Sequence, residues 1–175
     1  MNSEGMGTVQ QRAGAASHSR AQRLAMLNEL RAFYEDYAGC LDDGDFDRWP
    51  EFFTDTARYR VQSAENYERG LLHAPMYCEG KGMLKDRVSA TRVLVYEPRR
   101  QRRAVFNVRL LSDTDVIRSQ ASFLLIEQML DRDPVLALSG RYIDELVRTD
   151  EGLLISDRTA VYDNYRIIQN LMFPV

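Results

Sequence analysis

The sequence predicts a single α+β domain in which N-terminal helices pack in the concavity of a long curved antiparallel sheet. Three observations lead there: a helical period in the first third of the chain, long strand-like segments in the last, and connections between those strands that are hairpin length. Parallel pairing of those segments would need longer crossovers than the sequence provides. A chain of 175 residues, 45% hydrophobic and 28% charged, has the size and composition of one ordinary globular domain.

Residues 1 to 20 are rich in Gly, Ser, Ala and Gln and show no apolar period, so burial cannot offset the entropy of ordering them. A flexible tail is expected there, with residues 21–175 forming the domain. Leu27, Leu30, Tyr34, Tyr37 and Leu41 follow at spacings of 3, 4, 3 and 4, which places them on one face of a long helix ending between Gly39 and Gly44. Phe46, Trp49, Phe52 and Phe53 look like core anchors, in a segment whose helical extent Pro50 limits. Ala57, Tyr59 and Val61 alternate with Arg58, Arg60 and Gln62, the period of a half-buried strand. Helical spacing returns at Met83, Leu84, Val88 and Thr91.

Four strands are expected near residues 103–111, 116–130, 135–148 and 153–163, separated by short polar or Pro/Gly-containing turns. The tightest hairpin registers set Ala104, Phe106, Val108 and Leu110 opposite Phe123, Ala121, Ser119 and Ile117 on the face that meets the helices. Leu125, Leu136, Leu138, Tyr142, Leu146, Ile155 and Val161 join them. The other face then carries Arg109, Arg118, Leu124, Ile126, Arg141, Ile143 and Arg158, together with Gln120 and Tyr162. A surface mixing arginine with apolar side chains suits a protein interface, and those first seven residues are the interface candidates. The alternative is a solvated face with scattered apolar groups. One bulge would move every such assignment by one residue.

A formal charge of −3 gives no support to nucleic-acid binding. The basic run Arg99, Arg100, Arg102 and Arg103 beside Pro98 reads as a solvated connection. No window reaches the ~20 apolar residues of a membrane span, and the first residues lack a signal peptide's apolar core, so a cytoplasmic location is expected. Cys40 and Cys78 are then expected to be free structural thiols.

The chain has two His and two Cys, the tally of a Rieske cluster, but the one nearby pair is His73 and Cys78, reversed and separated by four residues. His18 lies in the expected tail, which removes a facial triad of two His and a carboxylate. No four-ligand zinc spacing, nucleophile elbow, phosphate loop or dinucleotide fingerprint occurs. No catalytic, cofactor-binding or metal-binding residue is therefore expected on this chain. One constellation keeps a rival open: Tyr142, Asp144, Asp157, Thr159 and Asp163 share the inner face, and the hairpin register sets Asp144 opposite Asp157. Two carboxylates in a partly desolvated pocket raise one pKa, as a stand-alone isomerase or dehydratase would require. A small-molecule-binding protein is a further alternative.

The arrangement resembles the cystatin-like cone fold of nuclear-transport-factor-like proteins, ketosteroid isomerases, scytalone dehydratases and the small (beta) subunits of aromatic-ring-hydroxylating oxygenases. Trp49, then Phe53-Thr54-Asp55, then the aromatic strand through Tyr59 resembles the small-subunit pattern. Gly82-Met83-Leu84-Lys85-Asp86-Arg87-Val88, Asn107-Val108-Arg109 and Ser139-Gly140-Arg141-Tyr142-Ile143-Asp144 extend the likeness over residues 30–175. Glu65-Asn66-Tyr67-Glu68-Arg69-Gly70 and the ending Asn170-Leu171-Met172-Phe173-Pro174-Val175 look closest to subunits acting on carboxylated arenes, of the salicylate 5-hydroxylase type. The resemblance implies a structural and assembly role in oxidising an aromatic substrate. It places the Rieske 2Fe–2S cluster, the mononuclear non-heme iron and the active site in a partner large subunit. It also implies a homotrimer of small subunits within a hexamer of three large and three small subunits. The N-terminal extension departs from the family pattern.

Overall fold

The computed structural model describes residues 19–94, 98–165, 171 and 173–175. Helix α1 runs Arg20–Asp42 and starts at a capping box in which the Ser19 hydroxyl accepts from the Gln22 amide while the Gln22 side chain accepts from the Ser19 amide. That cap places the helix start inside the segment assigned to the tail, and residues 1–18 lie outside the described residues. Met26, Leu30, Tyr34, Tyr37 and Leu41 form the buried stripe, and Gly44, at φ 75°, turns the chain away after the helix.

A single 3-10 turn, Trp49–Phe52, with Pro50 in its first turn, delivers Trp49 and Phe52 to the core. Strand β1 (Phe53–Ser63) buries Ala57, Tyr59 and Val61 as their alternation predicts. The short helix α2 (Ala64–Glu68) leads to β2 (Met76–Glu79), and α3 (Gly80–Leu94) buries Leu84, Val88 and Thr91. Strands β3 (Arg99–Asp113), β4 (Ile117–Met129), β5 (Val135–Thr149) and β6 (Gly152–Tyr162) complete a six-stranded sheet in the order β2-β1-β6-β5-β4-β3. The four C-terminal strands form the expected antiparallel meander. Of the two remaining joints, β2 beside β1 is antiparallel, while β1 beside β6 is parallel and ties the two halves of the chain together. Its crossover is made by everything between the two strands, as parallel pairing requires.

Register is where the structure departs from the sequence-based expectation. Between Phe106 and Arg109, β3 bulges, with Asn107 at φ 53°, and Ala104 pairs with Leu124 and Phe106 with Ser122. Phe106 therefore points outward and is 42% exposed, while Arg103 and Val105 turn inward. A second irregularity, at Leu125/Ile126, leaves Leu136 outward and 50% exposed while Leu138 is buried. In β6 the extra residue is Ser156. Leu146 still pairs with Ile155, but Glu145 pairs with Asp157 and Asp144 with Arg158, so every residue from Asp157 onward swaps faces. Ala160 and Tyr162 then join the inner cluster, and Val161 lies on the outer face, covered there.

The basic run at 99–103 opens β3 instead of forming a solvated connection. Strand alternation turns Arg103 into the molecule, where Nη1 donates to Asp42 Oδ1 at 2.6 Å and Nη2 to the Pro174 carbonyl at 2.7 Å. One guanidinium thus fastens the end of α1, the edge of the sheet and the last residues of the sequence. Val175 is buried beyond it: its carbonyl accepts from Tyr37 Oη at 2.9 Å, and its amide donates to Tyr59 Oη at 2.8 Å.

Candidate functional site

The inner face of the sheet holds the polar cluster that a catalytic reading needs, with different members from those expected. Asp144 on β5 and Arg158 on β6 are both fully buried side chains. Arg158 Nε donates to Asp144 Oδ1 at 2.9 Å and Nη2 to Oδ2 at 2.6 Å, a bidentate, charge-assisted pair. Tyr34, one of the α1 stripe, donates from Oη to Asp144 Oδ2 at 2.7 Å, and its hydroxyl also lies 2.9 Å from Ser119 Oγ. The Arg158 guanidinium carbon sits 4.1 Å from the Tyr37 ring centre and 4.4 Å from that of Tyr142. Tyr142 also stacks on Phe123 at 4.6 Å.

The Ser156 bulge therefore removes Asp157 from Asp144 and substitutes a cation. Asp157 turns to the outer face, where Arg58 Nη2 lies 2.8 Å and Arg60 Nη2 3.3 Å from its carboxylate. The expected pair of like charges does not form. Tyr142 does not bond Asp144 either; among the described residues its hydroxyl has no hydrogen-bond partner. Tyr34 and Ser119 take that place, and neither was singled out as polar because both sit at positions that the periodicity explains as core.

Electrostatics agree with a closed structural cluster. Burial raises the Tyr34 pKa well above the usual phenol value, and the Asp144 charge adds to that rise. Burial likewise raises Tyr142. For Arg158, burial opposes the charge, yet Asp144 and the surrounding tyrosines outweigh it and hold the guanidinium protonated. Both Asp144 oxygens accept from protein donors in a buried site, so the carboxylate is not presented to a reacting proton.

Among the described residues the donor set does not fit an iron centre or cluster. Cys40 lies on α1 and Cys78 on β2, both buried and free, and His73 is exposed on the connection before β2. Burial pushes the Cys40 thiol up to about 11 and also raises Cys78, which disfavours the thiolate a metal needs. Among the described residues no group of three His, Cys, Asp or Glu could hold a metal ion.

On the outer face, Arg109, Arg118, Leu124, Ile126, Arg141 and Ile143 lie as expected, while Arg158 belongs to the interior. Phe106 and Leu136 join that face in compensation, giving the rows Arg102–Ile126–Leu136 and Phe106–Ser122–Arg141 across three strands. The available sequence signal was Asn107, a residue suited to left-handed backbone in the middle of a strand. Arg118 Nε bonds Glu145 at 2.9 Å, and Arg141 lies 4.0 Å from Glu68.

Fold and cluster together define an α+β cone whose helices fill the concavity and whose interior carboxylate, Asp144, is held by Arg158 and Tyr34. Residues 36–169 match the model of the ring hydroxylating beta subunit family. The chain belongs to that family. It is 28% identical over 149 residues to the anthranilate 1,2-dioxygenase small subunit of Burkholderia cepacia, covering 84% of this chain and 92% of that one. It is 30% identical over 143 residues to the terephthalate 1,2-dioxygenase terminal oxygenase subunit beta 1 of a Comamonas species, covering 79% and 93%. Among solved structures, a Novosphingobium aromaticivorans chain assigned as the beta subunit of an aromatic-ring-hydroxylating dioxygenase superposes with a TM-score of 0.79 at 30% identity, over 90% of this chain and all (100%) of that one. A chain from the same organism assigned as a scytalone dehydratase, at TM-score 0.68 and 15% identity over 87% and 93%, shares the fold alone.

Proposed function

We propose that this chain is the structural and assembly small subunit of a multicomponent aromatic-ring-hydroxylating oxygenase, supporting a large subunit that carries the chemistry. The observation that carries the reading is the Asp144–Arg158–Tyr34 cluster: the interior carboxylate that an enzyme of this shape could use is locked in a buried ion pair. Family membership supports the same role, as does a donor set unsuited to iron. In this reading the Rieske 2Fe–2S cluster and the mononuclear iron reside in the large subunit. Three small subunits associate as a trimer within a hexamer of three large and three small chains. The surface offered for assembly is the outer face of β3–β5, with Arg109, Arg118, Leu124, Ile126, Arg141 and Ile143 joined by Phe106 and Leu136.

The substrate is an aromatic ring, with carboxylated arenes the class favoured by the relatives named anthranilate and terephthalate dioxygenase. No helix among the described residues is long and apolar enough to cross a membrane, in keeping with a cytoplasmic enzyme. The isomerase or dehydratase reading loses its acid–base pair to the Ser156 bulge. The test is size-exclusion chromatography of this chain mixed with its large subunit. Co-elution in equal numbers is expected, and separate elution of the two chains at micromolar concentration would refute the role.

A further inference from the structure

At the β3 bulge, on the edge of the sheet beside α1, lies a cleft of about 640 Å3. Arg31, Tyr34 and Glu35 line it from the helix, and Asn107, Arg109 and Gln120 from the strands. Its volume falls within the ~300–1,000 Å3 range of binding sites, and its rim exposes Phe106. Arg58, Arg60, Arg118 and Arg141 all lie within ion-pair distance of carboxylates of their own chain. Arg109 has no such partner among the described residues, and with Arg31 it outnumbers Glu35, the carboxylate in the lining, so the cleft carries a net positive charge beside an exposed aromatic ring.

The complement of this cleft lies elsewhere on the same chain. The β4–β5 turn carries Leu130, 80% exposed, followed by Asp131 and Asp133, also exposed and without an ion pair among the described residues. A protruding leucine followed by Asp131, Arg132 and Asp133, a turn of net negative charge, suits a cleft with an exposed phenylalanine and an unpaired arginine. The turn cannot reach the cleft of its own chain. It follows Met129, which pairs with Arg99, and at ~3.3 Å per residue Arg99 is roughly 26 Å along β3 from Asn107.

We propose that the cleft at the β3 bulge is a socket for the β4–β5 turn of a second copy of this chain, with Leu130 against Phe106 and Asp131 and Asp133 facing Arg109. Because turn and socket are different surfaces, each copy gives one and receives one, and such a head-to-tail contact closes into a ring when the rotation permits. Three copies form the ring in the assembly described above, and the inference rests on that reading for the number only.

Light scattering on the purified full chain tests it. The unmodified chain is expected to be trimeric. Arg109→Asp, and separately Asp131→Arg with Asp133→Arg, should weaken association by roughly tenfold or more while far-UV circular dichroism stays that of the folded chain. A chain carrying all three changes should regain the trimer. Trimers that persist in both charge-reversed variants, or a triple variant that fails to reassociate, would overturn the socket. So would an Arg109→Asp chain that stays trimeric yet no longer binds the large subunit, because the large subunit would then be the occupant. An unmodified chain that is monomeric but binds the large subunit would end both the socket and the trimer while leaving the assembly role standing.

Discussion

Asp144 and Arg158 face each other across β5 and β6, and Arg158 donates two hydrogen bonds, of 2.9 and 2.6 Å, to the Asp144 carboxylate inside a box made by Tyr34, Tyr37 and Tyr142. Removing one member leaves the other as an uncompensated buried charge, which typically costs about 3–5 kcal/mol. Asp144→Asn and Arg158→Met should each lose about that much in urea unfolding, and the double variant should lose clearly less than the sum. Additive losses would mean that the two side chains act separately.

The same cluster sets a limit at high pH. The pKa values of Tyr34, Tyr59 and Tyr142 are all raised by burial, so the folded protein keeps these phenols protonated where the unfolded chain would ionise them. Their contribution is fully present below about pH 10, the unfolded value, and is lost as pH climbs from there toward the folded values. Alkaline titration should show a stability that falls above about pH 10, with part of the tyrosinate absorbance appearing only as structure is lost. Complete tyrosine ionisation in a still-folded chain would contradict the burial of these rings.

Trp49 is fully buried, donates from Nε1 to Tyr37 Oη at 2.9 Å, and meets the rings of Phe53 and Tyr59 edge-on. Trp49→Ala should destabilise the fold by about 3–5 kcal/mol through the cavity it leaves. Fluorescence of the native protein should report an indole shielded from water, and quenching by iodide at the rate of free tryptophan would contradict this.

Deleting residues 1–18 should leave the unfolding temperature unchanged, because Ser19 already supplies the helix cap and those residues carry no apolar period. Differential scanning calorimetry decides it. A loss of several degrees would show that the segment packs against the domain or a neighbouring copy.

Arg158 shows how far the sequence could be read. The stripe Leu30, Tyr34, Tyr37 and Leu41, the four C-terminal strands and the fate of Trp49 were all legible, because each follows from local periodicity. The hairpin register of β5 and β6 was also right from the turn as far as Leu146 and Ile155. Ser156 then adds one residue, which leaves the local alternation intact but exchanges the faces, so Arg158 enters the core and Asp157 leaves it. Nothing within the strand announces that slip; only the chemistry of the pairing does, since Asp144 opposite an arginine is stable where Asp144 opposite an aspartate is not. The bond from Tyr34 to Asp144 spans 110 residues, and the parallel pairing of β1 with β6 joins opposite halves of the chain. Both are long-range pairings, one between α1 and the sheet and one between strands, beyond the reach of local periodicity.

The central claim, that this chain supports ring hydroxylation without supplying a reacting group, is tested most directly by product formation per assembled complex carrying Asp144→Asn or Asp157→Asn. Loss of an essential acid or base typically lowers a rate by ~10²–10⁴, whereas a structural carboxylate acts through folding and assembly alone. Complexes isolated intact by size-exclusion chromatography should therefore hydroxylate substrate within about tenfold of the unmodified enzyme. A loss near a thousandfold in either variant, in complexes of normal size and composition, would show that this subunit takes part in the chemistry.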